Sequence, residues 1–313
     1  MTFNRNNAVH IVEKPPPQSL RDLPDQVVQR LRDLRHVALD MDGTIYRGSQ
    51  LFSFTPAFLE TLARLNIGYT FLTNNSSKSV EDYVKHVRRM GLTVSPSQIY
   101  TSTHATIAYL KLHVPEARRL YVLGTSSMQS QIAEAGYEIV DEKPEAVVVG
   151  FDTGMTYARL CKTAYFVEQG LPYVASHPDR FCPTDQPTVL VDCGAICACI
   201  EVATKRAPDA VVGKPDPWML KSLQEIHHLP DGTVAMVGDR LATDIAMACR
   251  ADALGVLVLT GDSTAAEAAV ATEPPDLVLQ SLKEFGELLV RYREASPPDD
   301  APLSSPLFRR GPG

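Results

Sequence analysis

The reactive side chains of this chain gather in four short clusters, each directly behind an apolar run. Asp40-Met41-Asp42-Gly43-Thr44 follows the run at 36–39, and Thr73-Asn74-Asn75-Ser76 follows 68–72. Gly213-Lys214-Pro215 follows 210–212, and Gly238-Asp239 follows 234–237, with Asp244 five residues further on. Carboxylates brought to one place repel one another. A hard divalent cation offsets that repulsion, and an all-oxygen ligand set suits Mg²⁺. Lys214, Thr73, Asn74 and the backbone amides that follow Asn75 are suited to a phosphate. Asp40 is placed to attack phosphorus as a carboxylate and form an aspartyl-phosphate. Asp42 would point to the other side of an extended strand, but a turn at Gly43 swings it back. It could then protonate a leaving oxygen and later activate water. Singly the clusters say little, since D-x-D-G is most often a solvated turn and T-N-N or G-K-P an ordinary loop. Their order, each behind a buried run, is the signal.

Clusters of this kind need a scaffold that delivers strand ends to a common crevice. The apolar runs at 36–39, 68–72, 210–212, 234–237, 255–259 and 277–279 read as strands buried on both faces of a parallel sheet. Helical patterns lie between them, as at Val80, Val84, Val87 and Met90, with Ser79 and Asp82 opening a capping box and Gly91 ending the helix. A second set of strands is expected at 120–123, 146–149 and 172–175, with helices near 127–135 and 156–169. Core-type strands stand before and after this block, so it reads as an insertion. The expected organisation is a flexible arm over 1–30, a core over 31–113 and 208–295, an inserted α/β domain over 114–207, and a disordered tail over 296–313. The fold class is α/β, a Rossmann-like parallel-sheet core with a second, inserted α/β domain.

The ordered set Asp40-x-Asp42-Gly43-Thr44, Thr73-Asn74-Asn75-Ser76, Gly213-Lys214-Pro215 and Gly238-Asp239…Thr243-Asp244 resembles the haloacid dehalogenase-like hydrolases. More narrowly it resembles their NagD-like, p-nitrophenyl-phosphatase-type branch, through Ile45-Tyr46-Arg47-Gly48, Asn74-Asn75-Ser76 and the stretch 211–217. The resemblance covers about residues 35–281 and implies an α/β cap inserted between the second and third clusters. It implies Asp40 as nucleophile and Mg²⁺ ligand, and Asp42 as general acid/base and backbone-carbonyl ligand. Asp239 would be a direct ligand with Asp244 in support, and Thr73, Asn74 and Lys214 would hold phosphate. The expected activity is a Mg²⁺-dependent phosphatase for small phosphorylated metabolites of the sugar phosphate, nucleotide, phosphoglycolate or pyridoxal phosphate type. A phosphotransferase or mutase of the same fold, and a catalytically weak binding module, are the alternatives. A homodimer through the cap is a further implication.

Substrate choice in such enzymes is expected from the cap, and its candidate loop is Ala175-Ser176-His177-Pro178-Asp179-Arg180. The family pattern has Thr-Asn where this chain has Ser176-His177, so His177 and Asp179 are candidate substrate contacts without a known substrate to carry over. Cys193, Cys197 and Cys199, whose C-x-x-x-C-x-C spacing on a helix splits the thiols between faces and which lack a fourth nearby ligand, read as small buried thiols. Cys193 is a candidate for the pocket wall, and Trp218 for packing the next helix against the sheet. Thirty Lys and Arg face 37 Asp and Glu across 313 residues, a net charge of −7, which argues against a nucleic-acid or anionic-membrane partner for the whole chain. No apolar stretch is long enough to span a membrane, no leader is evident, and six cysteines without a C-x-x-C pair fit a reducing, cytoplasmic setting.

Overall fold

The computed structural model describes residues 23–183 and 187–294. The tail expected at 296–313 and most of the expected arm lie outside these residues. The helix Asp25–Asp33 buries Val27 and Leu31 against the core, so an amphipathic patch becomes a docked helix.

Six parallel strands form the main sheet, in the spatial order Leu277–Leu279, Leu254–Val258, Val234–Gly238, His36–Asp40, Gly68–Thr73, Ile99–Thr101. Numbered along the chain this is 3-2-1-4-5-6 read from the Ile99 edge, the doubly wound order. The crevice in that order opens outside the carboxyl ends of strands one and four, here His36–Asp40 and Val234–Gly238. Their register pairs His36 with Val234 and Leu39 with Val237, which sets Asp40 beside the Gly238-Asp239 step. Every described residue of Val234–Gly238 is buried, as a strand covered by helices on both faces must be.

A second parallel sheet has the order Ala210–Val211, Tyr173–Ala175, Ala146–Val149, Arg119–Leu123, Glu138–Ile139. Here the structure corrects one expectation. The run at 210–212 does not join the main sheet; Ala210 pairs with Val174 and Val211 with Ala175 at the edge of the second. Three apolar residues carry no information about which sheet receives them, and the hydrogen-bond ladder decides. Ile99–Thr101, which completes the main sheet, was not among the expected strands. Two antiparallel hairpins, Tyr46–Arg47 with Gln50–Leu51 and Phe181–Pro183 with Val189–Val191, were not expected either.

The helix Val80–Arg89 starts as expected: the Asp82 N–H donates to Ser79 Oγ at 3.1 Å and the Ser79 N–H to Asp82 Oδ2 at 3.2 Å. On one face of the main sheet Leu39, Phe71, Val237 and Val256 pack with Phe58, Phe285 and Leu289. On the other, Ala38, Leu72 and Met236 belong to an apolar cluster that continues through Ala105 and Leu110 into Leu120, Val122, Met128, Ile132 and Val148 of the second α/β layer. The two sheets thus share one hydrophobic cluster. Trp218 packs on the helix Ser102–His113 rather than on the sheet, its indole N–H donating to the Ala105 carbonyl at 3.0 Å and its ring set edge-on to Tyr109. Among the described residues no helix is long and apolar enough to cross a membrane.

Candidate active site

Asp40 ends its strand, Asp239 follows Gly238, and Asp244 sits in a single π-helical turn over Leu241–Ile245. One carboxylate oxygen from each lies within 4.8 Å of the others. Lys214, 4 % exposed, reaches between them, its ammonium donating to Asp40 and to Asp244 Oδ1, the latter at 2.7 Å. Burial works against the Lys214 charge, but Asp244 and Asp40 outweigh it and hold the ammonium firmly protonated. One cation does not balance three acids. Burial, reinforced by the Asp40 charge, pushes Asp239 up to about 6. Burial pushes Asp244 up to about 7, with Asp40 and Asp239 adding to it and Lys214 opposing.

Asp239 Oδ2 accepts the Asp262 N–H at 2.7 Å, while Oδ1 is buried with no hydrogen-bond partner among the described residues. An orphaned buried carboxylate oxygen in an all-oxygen cluster, where burial and then the neighbouring acids push Asp239 and Asp244 up, is what a hard divalent cation would satisfy. The donor set therefore fits Mg²⁺.

Asp42 is not part of this cluster. It is exposed, its Oδ1 accepts the Gly48 N–H at 3.3 Å, and the turn closes through Gly43, whose N–H donates to the Tyr46 carbonyl at 2.8 Å. Gly43 has φ +87°, and a Cβ there would come within 2.4 Å of Asp239 Oδ2. Glycine is needed on both counts.

In the loop after Gly68–Thr73, Thr73 Oγ1 accepts the Asn75 N–H at 3.2 Å, and Asn75 Oδ1 accepts from the Ser77 N–H at 2.9 Å and hydroxyl at 2.7 Å. The Asn75 side chain thus shapes its own loop. Asn74 clamps Lys214 at two points: its Oδ1 accepts the Lys214 N–H at 2.8 Å and its Nδ2 donates to the Lys214 carbonyl at 2.9 Å. The same Nδ2 donates to Asp179 at 3.2 Å. Ser76 Oγ accepts the Phe151 N–H at 2.9 Å and lies 3.2 Å from Ser176 Oγ, and the Thr125 hydroxyl donates to the Ser77 carbonyl at 3.0 Å. The carboxyl ends of both sheets therefore face each other across this loop.

His177, expected as a substrate contact, is fully buried. Its Nδ1 lies 3.4 Å from Asp179 Oδ2 and its Nε2 3.4 Å from Asp192 Oδ1. Burial opposes charge on the ring, but Asp179, Cys193 and Asp192 outweigh it and raise the imidazole to about 9. Asp179 is held below the usual carboxylate range: burial is outweighed by His177, Asn74 and Lys214. Burial pushes Asp192 up. Cys193 is fully buried, its thiol donating to the Val149 carbonyl at 3.3 Å; Cys197 is buried too, whereas Cys199 is exposed, contrary to expectation. Helical spacing put the third thiol on the outer face.

Two contributors escaped the sequence reading. Asp192, the N-cap of the helix Cys193–Thr204, had no partner in sequence to mark it. The loop after Leu254–Val258 braces Asp239: the Ser263 N–H donates to the Asp239 carbonyl at 3.0 Å, and a Cβ on Gly261 would come within 1.9 Å of Asp239 Oδ2. A glycine right behind an apolar strand was the available signal.

Residues 37–138 match a haloacid dehalogenase-like hydrolase family model, and residues 211–285 match a HAD-hydrolase-like model. The chain is 31% identical over 255 residues to an acid sugar phosphatase of Staphylococcus aureus, covering 81% of this chain and 97% of the relative. Its fold is similar to that of a 4-nitrophenylphosphatase from Thermotoga maritima, with a TM-score of 0.78 and 37% identity over 82% of this chain and 98% of that one. It is also similar to a glycerol phosphate phosphatase of Mycobacterium tuberculosis solved with magnesium, with a TM-score of 0.74 and 27% identity over 82% of this chain and 78% of that one. With its doubly wound sheet and its four strand-end clusters in order, the chain belongs to the haloacid dehalogenase-like hydrolases, in their NagD-like, p-nitrophenyl-phosphatase-type branch of phosphatases.

Proposed function

We propose that this protein is a Mg²⁺-dependent phosphomonoesterase for small phosphorylated metabolites, working through an aspartyl-phosphate on Asp40. The observation that carries this reading is the cluster of Asp40, Asp239 and Asp244, of which the buried Lys214 ammonium pairs with Asp40 and Asp244 and leaves an oxygen of Asp239 over. Asp40, Asp239 and Asp244, with the Asp42 backbone carbonyl, would hold Mg²⁺. Bound there, the cation supplies charge neutralisation at the transferring phosphoryl group. Lys214 and Thr73 hold the phosphate oxygens, while Asn74 acts chiefly by fixing the Lys214 backbone.

The chain's own groups then divide the work in two steps. Asp40 Oδ forms a bond to phosphorus as the ester P–O bond breaks, and Asp42 gives its proton to the departing alcohol oxygen. Asp42, now a carboxylate, takes a proton from water as that oxygen bonds to phosphorus and the Asp40–phosphorus bond breaks, releasing inorganic phosphate. The exposure of Asp42 and its turn at Gly43 suit a group that must meet both leaving group and water.

Sugar and glycerol phosphates are the first substrates to try, since similar proteins carry those names. The reading places the enzyme in the cytoplasm, where its six cysteines stay reduced, and includes a homodimer through the cap, for which exposed Phe181, Val189 and Val191 offer a surface. The test is phosphate release from p-nitrophenyl phosphate with Mg²⁺ and with EDTA, in wild type and Asp40→Asn, followed by a panel of phosphometabolites. Metal-dependent release abolished in Asp40→Asn supports the reading. Silence across the panel from folded, Mg²⁺-binding protein overturns it.

A further inference from the structure

We propose that His177 is a positioning residue for Lys214, acting through Asp179 and the side-chain amide of Asn74. Its kinetic consequence rests on the phosphatase reading above; its geometry does not.

The chain of contacts is short and buried. His177 stands between Asp179 and Asp192 at 3.4 Å from each, and its two ring nitrogens have no hydrogen-bond partner besides these ion pairs among the described residues. Asp179 accepts from Asn74 Nδ2, and that amide clamps the Lys214 backbone at both its N–H and its carbonyl. The amide can sit only one way round. Turned over, its oxygen would face the Asp179 carboxylate and the Lys214 carbonyl, and its NH₂ would face the Lys214 N–H. Asp179 is therefore the lock on the amide, and the amide sets where the Lys214 side chain departs toward Asp40 and Asp244.

Close packing removes slack from this linkage. A Cβ on Gly213 would lie 2.6 Å from His177 Cβ and 2.7 Å from Asn74 Oδ1, so the 177 loop and the Lys214 segment are in direct contact. Behind the loop, a Cβ on Gly194 would lie 2.1 Å from the Pro178 carbonyl oxygen, and the Gly194 N–H donates to the Asp179 carbonyl at 2.8 Å. The groups facing the ring are Asp179 from its own loop and Asp192 and Cys193 from the helix start, with the Lys214 charge beyond Asp179. Without a cation at 177, the buried Asp192 and the half-buried Asp179 carboxylates confront each other. One must then take up a proton or turn away, and Asn74 loses its charged acceptor. By composition the three residues also suit a metal ion. Each ring nitrogen, however, meets a different carboxylate, which is the arrangement of a bridging imidazolium.

The test uses His177→Gln, Asp179→Asn and their double variant in the full chain. With p-nitrophenyl phosphate at about pH 8, His177→Gln should lower kcat/KM by about 10- to 100-fold, mostly in kcat. On acidification to about pH 6 that deficit should shrink severalfold, because a proton shared by Asp179 and Asp192 replaces the missing charge. In the double variant, His177→Gln should cost less than about threefold beyond Asp179→Asn. A deficit that is constant or grows toward acid, or single effects that multiply, indicates simple packing and overturns the proposal. A titration of the His177 ring by NMR, in wild type and Asp179→Asn, needs neither turnover nor a foldable His177 variant. The wild-type ring should hold its proton to about pH 9 and lose more than about one unit in Asp179→Asn. An unchanged titration overturns the linkage even in an active enzyme, while an inert protein with the expected titration sinks only the phosphatase reading. Zn²⁺ binding that disappears in His177→Gln but persists in Asp40→Asn would overturn the proposal in favour of a metal site.

Discussion

Lys214 and His177 are both buried cations held between two carboxylates, but Lys214 has a third acid to answer and His177 has not. Around Lys214, Asp239 and Asp244 are pushed up to about 6 and about 7, and an Asp239 oxygen has no partner among the described residues. Around His177, Asp179 is held down, burial pushes Asp192 up, and the imidazole rises to about 9. The first cluster is short of positive charge and so is receptive to a further cation. The second is closer to balance and works as an internal brace. Asn74 bonds to both and couples them.

Removing the nucleophile should break the comparison most severely. Asp40→Asn is expected to cut turnover by about 10⁴-fold or more while Tm stays within a few degrees, because a carboxylate leaves an overcrowded site. Comparable Tm loss would mean that Asp40 serves the fold.

The cation deficit predicts a pH-dependent response to Mg²⁺. In metal-free protein the raised Asp239 and Asp244 bind protons that the unfolded chain releases, so stability should fall as pH rises from about 4 to 7. Mg²⁺ needs both carboxylates ionised. Its stabilisation should therefore be several degrees in Tm at about pH 8 and clearly less at about pH 5.5. Thermal melts with Mg²⁺ and EDTA at the two pH values read this directly.

Gly261→Ala should lower kcat/KM by about tenfold and weaken Mg²⁺ binding, since the new methyl would displace Asp239. Normal Mg²⁺ affinity in that variant would show that the loop yields instead.

For the second cluster, the raised imidazole adds stability that is complete below about 6.5 and lost as pH rises through about 9. The Tm gap between wild type and His177→Gln should accordingly narrow between about pH 8 and pH 10. The smallest effect is reserved for Cys193→Ala beside it, about 1–2 kcal/mol of stability with little change in kcat, measured by urea unfolding and steady-state rates.

How much of this could be read from the chain follows from the range of each interaction. Asp40, Lys214 and Asp239 were legible because each stands at the end of an apolar run, and Asp244 because it follows Asp239 by five residues, while a doubly wound sheet collects strand ends. Five of the six expected core runs became main-sheet strands. The run at 210–212 went to the other sheet, and the three-residue strand Ile99–Thr101 passed unnoticed, because pairing rather than composition places so short a segment. His177 was legible as unusual but not as buried: its partner Asp192 lies 15 residues on, and the amide that Asp179 locks lies 105 residues back. Gly261 and Asp42 show the same limit, since which side chain a loop presses against is a property of the packed molecule.

The apolar cluster that runs unbroken from Met236 and Leu72 through Leu110 to Val122 and Met128 has a further consequence. Topologically the chain is a domain interrupted by another, yet melting either half alone would expose the other's buried face. Core and cap should therefore unfold in one cooperative calorimetric transition. A wide swing of the cap would likewise have to part that cluster and the bonds from Asn74, Ser76 and Ser77.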